Sequence, residues 1–139
     1  MYAIIRLRGK VGVRKDIDYT LKLLRLHRKM HCVLMPENKV NDGMIKKVKD
    51  YVTWGKISDD MLKILILKRG RKQGNKRLSK EEAEVVFNDV KEGRKISIKP
   101  VFRLTPPSGG FKKSIKYHLP KGELGYRGEK INDLLKKMV

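Results

Sequence analysis

A chain of 139 residues with 40% hydrophobic positions holds one core rather than two, and its single cysteine, Cys32, excludes both an internal disulfide framework and a cysteine-rich zinc site. Against 15 Asp and Glu stand 35 Lys and Arg, a formal charge of +20. A compact body with that excess repels itself, so the composition points to a polyanionic partner, nucleic acid above all, and away from a neutral enzyme or a merely soluble protein.

Net charges of +9, +4 and +7 over residues 1–57, 58–95 and 96–139 spread the excess through the folded body rather than a tail. Met1 to Arg6 is too short an apolar run for a secretory signal, and no stretch approaches a membrane span. The expectation is a protein of the reducing cytoplasm with no membrane partner.

Met1 to Leu7 reads as a strand, with Tyr2, Ile4 and Ile5 as β-formers and Gly9 and Gly12 bracketing a turn. A helix follows, with Asp16 as expected N-cap and Ile17, Leu21 and Leu24 along one face; Lys22, Arg25 and Lys29 fall on the other. His31 to Met35 is short, apolar and stopped by Pro36, a second strand. Asn41 or Asp42 then caps a second helix carrying Met44, Val48 and Val52, with Gly55 past its end.

Ser58 followed by Asp59 and Asp60 opens a third helix, and Ser79 with Glu82 forms a capping box for a fourth over Lys80 to Glu92, stopped by Gly93. The third strand is expected at Val101 to Leu104, with Ile96 to Ile98 as lead-in. Lys121 to Gly128 is glycine-rich, and Ile131, Leu134, Leu135 and Met138 share one side of a closing helix. The fold expected is α+β: 1–57 is the β-α-β-α part of the core, 58–95 a helical insertion with a basic loop, and 96–139 the third strand plus an extended basic arm, all in a single domain.

Two segments stand out as binding elements. Lys68 to Arg77 holds six cations, two glycines and no acid, a loop expected to stay flexible until phosphates order it. Phe102 to Lys113 joins Pro106, Pro107, Gly109 and Gly110 to Arg103, Lys112 and Lys113, a stiff basic segment slim enough to approach an RNA backbone. Phe111 is open to two readings, a base stack or a core contact. The candidate RNA-binding residues are Arg6, Arg8, Lys10, Arg14 and Lys15 at the first turn and Arg25, His27, Arg28 and Lys29 after the first helix. Lys68, Arg69, Arg71, Lys72, Lys76 and Arg77 come from the loop, and Arg103, Gly109, Gly110, Lys112 and Lys113 from the Pro-Gly segment.

No nucleophile elbow, Walker loop, dinucleotide fingerprint or calcium loop is present, so neither an enzyme, a cofactor nor a small-molecule substrate is expected. His27 and His31 have helical ligand spacing, but Arg28 stands between them and disfavours a metal; packing or phosphate contact at a helix end is the better reading. Cys32, in an apolar run, reads as a small core residue. Gly9-Lys10-Val11-Gly12 matches the backbone-clamping loop of KH domains, but it follows a strand where that loop joins two helices. A free-standing RNA- or DNA-binding module shares every one of these charge features.

Arg6-Leu7-Arg8-Gly9 with Gly12-Val13, Leu23 to His27, Trp54-Gly55, Leu67 to Gly70, Phe102 to Leu104, Pro107 to Gly110, Gly125 and Ile131-Asn132, taken in that order, resemble the ribosomal L-thirty family, called L-seven in eukaryotes. The resemblance spans nearly the whole chain. It implies a structural, non-enzymatic component of the large ribosomal subunit with a β-α-β-α-β core, a small antiparallel three-stranded sheet and some likeness to a ferredoxin-like fold. It also implies large-subunit rRNA, the 5S rRNA region and neighbouring large-subunit proteins as partners. The added helices and arm, with no basic N-terminal extension, are similar to the archaeal form.

Overall fold

The computed structural model describes residues 1–95 and 98–139. Its elements are β1 (Tyr2–Arg6), α1 (Lys15–Leu23), β2 (His31–Met35), α2 (Lys39–Lys47), β3 (Val52–Lys56), α3 (Asp59–Arg69), α4 (Lys80–Lys91), β4 (Val101–Arg103), β5 (Ser114–His118), β6 (Gly122–Tyr126), a 3₁₀ turn (Gly128–Lys130) and α5 (Ile131–Met138). The class is α+β, as expected, but the sheet has six strands in the order β4-β2-β1-β3-β6-β5 rather than three.

The central strand explains its own sequence. β1 pairs antiparallel with both β2 and β3, and its consecutive apolar residues serve opposite faces. Ile4 packs with Leu21, Leu24, Val33, Ile45 and Val48 under α1 and α2. Ala3, Ile5 and Leu7 pack with the apolar faces of α3, α4 and α5. Helices cover both faces, so Ala3-Ile4-Ile5 runs continuously apolar instead of alternating.

The β-α-β-α-β order is complete within residues 2–56, because its third strand is Val52–Lys56 and not Val101 to Leu104. Val52 continues the helical spacing of Met44 and Val48, but α2 ends at Lys47 and Tyr51-Val52-Thr53-Trp54 is rich in residues that suit a pleated surface. Pairing of all five residues with β1 settles the competition. Val101–Arg103 is a strand too, added antiparallel beside β2. Of its expected lead-in, Ile96 and Ser97 lie outside the described residues, while Ile98 is buried.

The expected extended arm is folded back. Thr53 and Trp54 pair parallel with Gly125 and Tyr126, which places β6 in the sheet, and β5 lies against β6 with an irregular register. Gly125 has φ +103°, a conformation that glycine takes without strain, and Thr53 Oγ1 donates to its carbonyl at 2.9 Å, which ties the tail to the core.

Caps follow local chemistry. Ser58 and Ser79 accept at 3.3 Å from the N–H groups of Met61 and Glu82, as their spacing indicates. Asn38 rather than Asn41 or Asp42 caps α2, accepting from the Asn41 N–H at 2.8 Å. Arg14, not Asp16, occupies the cap position of α1; Asp16 sits in the first turn, where its charge suits the helix dipole.

Candidate nucleic-acid interface

At one end of the sheet β1 finishes with Arg6, β2 starts with His31 opposite Arg103, and β4 finishes with Arg103. Three loops carrying cations therefore leave from adjacent strands.

Arg6 joins the first two. Only 1% exposed, it turns inward from the rim; its Nε donates to the Arg8 carbonyl at 2.8 Å and its Nη1 to the Leu26 carbonyl at 2.7 Å. Alternation along β1 puts Arg6 on the face of Ile4, under α1. Burial pulls its pKa below the ordinary arginine value, and the Asp18 carboxylate pulls the other way. The Met30 N–H donates to the Arg6 carbonyl at 2.8 Å, closing the junction. The Lys29 stem covers Gly9, where an added Cβ would meet Lys29 Cε at 2.8 Å.

The loop after α1 is held in an uncommon shape. Leu24 caps the helix, the Leu26 N–H returns to the Leu21 carbonyl at 2.9 Å and the Arg25 N–H to the Lys22 carbonyl at 2.9 Å, which puts Arg25 at the left-handed position with φ +64°. Met30 also has φ +64°. Leu26 is wholly buried, while Arg25, His27, Arg28 and Lys29 are exposed. His27 is thus a loop residue and His31 a strand residue, so their four-residue spacing is not helical. Burial, then the charges of Arg103, His27, Arg28 and Arg6, push the His31 pKa below 6.5.

The cationic rim continues through β4. The Leu104 N–H donates to the Met30 carbonyl at 3.0 Å, and Arg69 Nη2, at the end of α3, donates to Thr105 Oγ1 at 3.4 Å. Beyond Arg69 the basic segment is not open chain: Arg71 pairs with Arg77, the Lys72 N–H donates to the Lys76 carbonyl at 2.8 Å, and Gly74 and Asn75 take φ +81° and +61°. Local turn chemistry closes this hairpin without phosphate. Lys68, Arg69, Arg71 and Arg77 surround an open hollow of about 480 Å³ beside Val139. Lys72 is held by Glu82, whose carboxyl lies below the usual carboxylate range chiefly because it accepts from that ammonium.

The remaining candidates are held one by one. Arg8 stacks with its guanidinium 5.0 Å from the Tyr51 ring centre, Arg14 pairs with Asp16 at 2.9 Å, and Lys10 and Lys15 are exposed. In the Pro-Gly segment the Thr105 and Ser108 N–H groups donate to the Met138 and Lys137 carbonyls at 3.2 and 3.1 Å, so that segment finishes α5; Gly109 and Gly110 adopt φ +78° and +74°. Phe111 is half-buried against the core. Lys112 and Lys113 line a second hollow with Pro107, Lys130 and Lys137, the last two not singled out in the sequence because they sit in helical contexts; Asp133 and the paired Glu123 and Arg127 complete its wall. The Gly-x-x-Gly turn joins β1 to α1.

Proteins named large ribosomal subunit protein uL30 match this chain from end to end. That of Methanococcus vannielii is 52% identical with 99% of each chain covered, that of Nanoarchaeum equitans 49% identical over 100% of this chain and 99% of its own, and that of Methanosphaera stadtmanae 42% identical over all of both. The chain belongs to the ribosomal protein L30p/L7e family. The family model itself matches residues 2–52, from β1 to the start of β3, a span that includes the Arg6 junction and both loops it ties. The relatives cover the remainder, so the six-stranded sheet and basic hairpin lie within the shared length.

Proposed function

We propose that this chain is a structural constituent of the large ribosomal subunit that binds rRNA through its basic loops, recognising phosphate positions and helix shape rather than base sequence. It performs no catalysis, and its place is the ribosome of the cytoplasm. The observation that carries this reading is the hydrogen-bonded continuity of the cationic rim, from the first turn through Arg28, Lys29 and Arg103 to the hairpin after α3. Rigid loops with fixed cations suit structured RNA, which offers phosphates and hydroxyls in a set geometry. Tyr126, half-exposed, lies at the opposite end of the sheet against Tyr2 and Trp54, away from the rim, and the Tyr51 ring at the first turn is covered by Arg8.

In this reading 1–57, 58–95 and 96–139 act as one domain. The first supplies the two loops at Arg6, the second the hairpin, and the third Arg103 and the segment with Gly109, Gly110, Lys112 and Lys113. Exposed Lys10, Arg14, Lys15, Arg25, His27, Arg28, Lys29, Lys68, Lys76 and Arg77, with half-buried Arg8, Arg69 and Arg71, are the proposed phosphate contacts, and Arg6 positions the loops that carry the first of them. Neighbouring large-subunit proteins and RNA of the 5S region are further proposed partners.

The test is binding of a large-subunit rRNA fragment across a salt series. Affinity should fall steeply with salt, and replacing Lys68, Arg69 and Arg71 by Gln should weaken binding of all RNA sequences alike while lowering the salt slope by about three. Unchanged affinity and slope would remove the hairpin from the interface; a flat salt response of the native chain would defeat the reading itself. RNA crosslinking with peptide mapping on intact subunits tests the 5S neighbourhood.

A further inference from the structure

Between the β1–α1 loop, α1 and the loop leading to β2 lies a cleft of about 240 Å³ lined by Arg6, Lys10, Val13, Asp18, Lys22 and His27. Two of the three guanidinium nitrogens of Arg6 are engaged with carbonyls, but Nη2, with two N–H donors, has no partner among the described residues although the side chain is 1% exposed. A buried cationic donor left without an acceptor is uncommon. Asp18, the one carboxylate in the lining, pairs through Oδ2 with Lys22 Nζ at 3.1 Å, its helical i,i+4 partner, and neither of its oxygens comes within hydrogen-bond distance of Nη2. With Asp18 and Lys22 cancelling, the cleft keeps the charges of Arg6 and Lys10, and His27 adds a ring nitrogen.

We propose that this cleft is an anion subsite that seats one backbone phosphate of RNA, with Arg6 Nη2 donating from its floor and Lys10 and His27 closing over the oxygens. The inference rests on the rRNA-binding reading and assigns one phosphate within it. A carboxylate of a neighbouring protein has related chemistry, but the surroundings favour a polyanion: Arg8, Arg25, Arg28 and Lys29 rim the same two loops, far more cations than a single carboxylate would use. Arg25 adds to this, because a cationic side chain keeps a left-handed position at which glycine is the easier residue. Arg6 accordingly has two tasks, tying the loops with Nε and Nη1 and meeting the phosphate with Nη2.

The full-length chain labelled with ¹⁵N is titrated with inorganic phosphate, and separately with chloride at matched ionic strength, while the Arg6 side-chain N–H and His27 ring resonances are followed. Phosphate should shift both saturably and chloride should not. Because Arg6 replacements also untie the loops, the variant is exposed Lys10→Gln, which should weaken phosphate about two- to fivefold and lower the salt slope of rRNA binding by about one; Lys116→Gln, on β5, should do neither. Shifts spread evenly over the surface, or unaltered by Lys10→Gln, would overturn the subsite. If the native chain binds rRNA but Lys10→Gln leaves affinity and slope intact, the subsite is wrong and the broader reading stands. If the native chain fails to bind rRNA, the broader reading fails while the phosphate titration still decides the cleft. A crosslink from Lys10 to a protein carboxylate instead of RNA in intact subunits would also overturn it.

Discussion

Gly55 of β3 and Ile131 at the start of α5 lie back to back: a Cβ added to the glycine would stand 2.9 Å from the Ile131 Cβ and closer still to the Gly128 carbonyl oxygen. This is where the C-terminal helix seats on the sheet. Gly55→Ala should therefore push the 3₁₀ turn and α5 outward and cost about 1–3 kcal/mol, read as a lowered urea midpoint. An unchanged midpoint would mean that α5 is not seated there.

The Glu123–Arg127 ion pair is a second tie between tail and core. Their side chains are 9% and 11% exposed; Arg127 Nε donates to Thr53 Oγ1 at 2.7 Å, and Glu123 Oε1 accepts from the Lys113 N–H at 3.0 Å. Glu123→Leu would strand a buried guanidinium and free the Lys113 backbone. A loss of about 3 kcal/mol is expected from chemical denaturation, with the double variant Glu123→Leu, Arg127→Met recovering part of it.

Arg25 trades stability for a cation. Glycine at its left-handed position relieves the steric cost, so Arg25→Gly should stabilise the chain by up to about 1 kcal/mol while weakening rRNA. A variant that binds rRNA as before would exclude Arg25 from the interface.

His31 makes stability depend on pH. Its pKa is held below the 6.5 of the unfolded chain, first by burial and then by surrounding cations, so the unfolded state takes up the proton first. The contribution is complete above about pH 6.5 and is lost as pH falls toward the depressed folded value. His31→Gln should flatten this segment of the stability profile, measured by thermal melts between pH 7.5 and 5.

Cys32 serves as a reporter of opening. Complete burial pushes its thiol up to about 12, so the native chain presents no thiolate at neutral pH. Reaction with a thiol-directed disulfide reagent should track global unfolding in a urea series; fast labelling of the native protein would mean that β2 opens locally.

Much of the architecture was legible from short-range patterns. Ser79 and Glu82 meet across one helical turn, so their capping box needs no distant residue, and His31 to Met35 declares a strand by composition and by Pro36. Val52 was ambiguous for the same reason: it fits the helical spacing of Val48 as well as the β-rich run to Trp54, and only the partner strand β1 decides. Gly122 and Gly125 suit a strand poorly on their own. Gly122 becomes a strand residue because its backbone lies against the Ser114 and Tyr117 carbonyls of β5, where no Cβ would fit, and Gly125 because it pairs with Thr53 at φ +103°.

The charged surface divides along the same line. Charge and its spread over the whole chain followed from composition alone, because a +20 excess on 139 residues needs a polyanion however the chain folds. Direction did not: Arg6 and Arg8 look alike in a list of cations, yet the side chain of one turns under α1 to hold two carbonyls while the other lies over Tyr51. Residues counted as separate basic patches become one rim only when β4 pairs with β2 and brings Arg103 beside His31. Long-range strand pairing and burial decide those positions, and both depend on contacts between residues far apart in the chain, which no local pattern encodes.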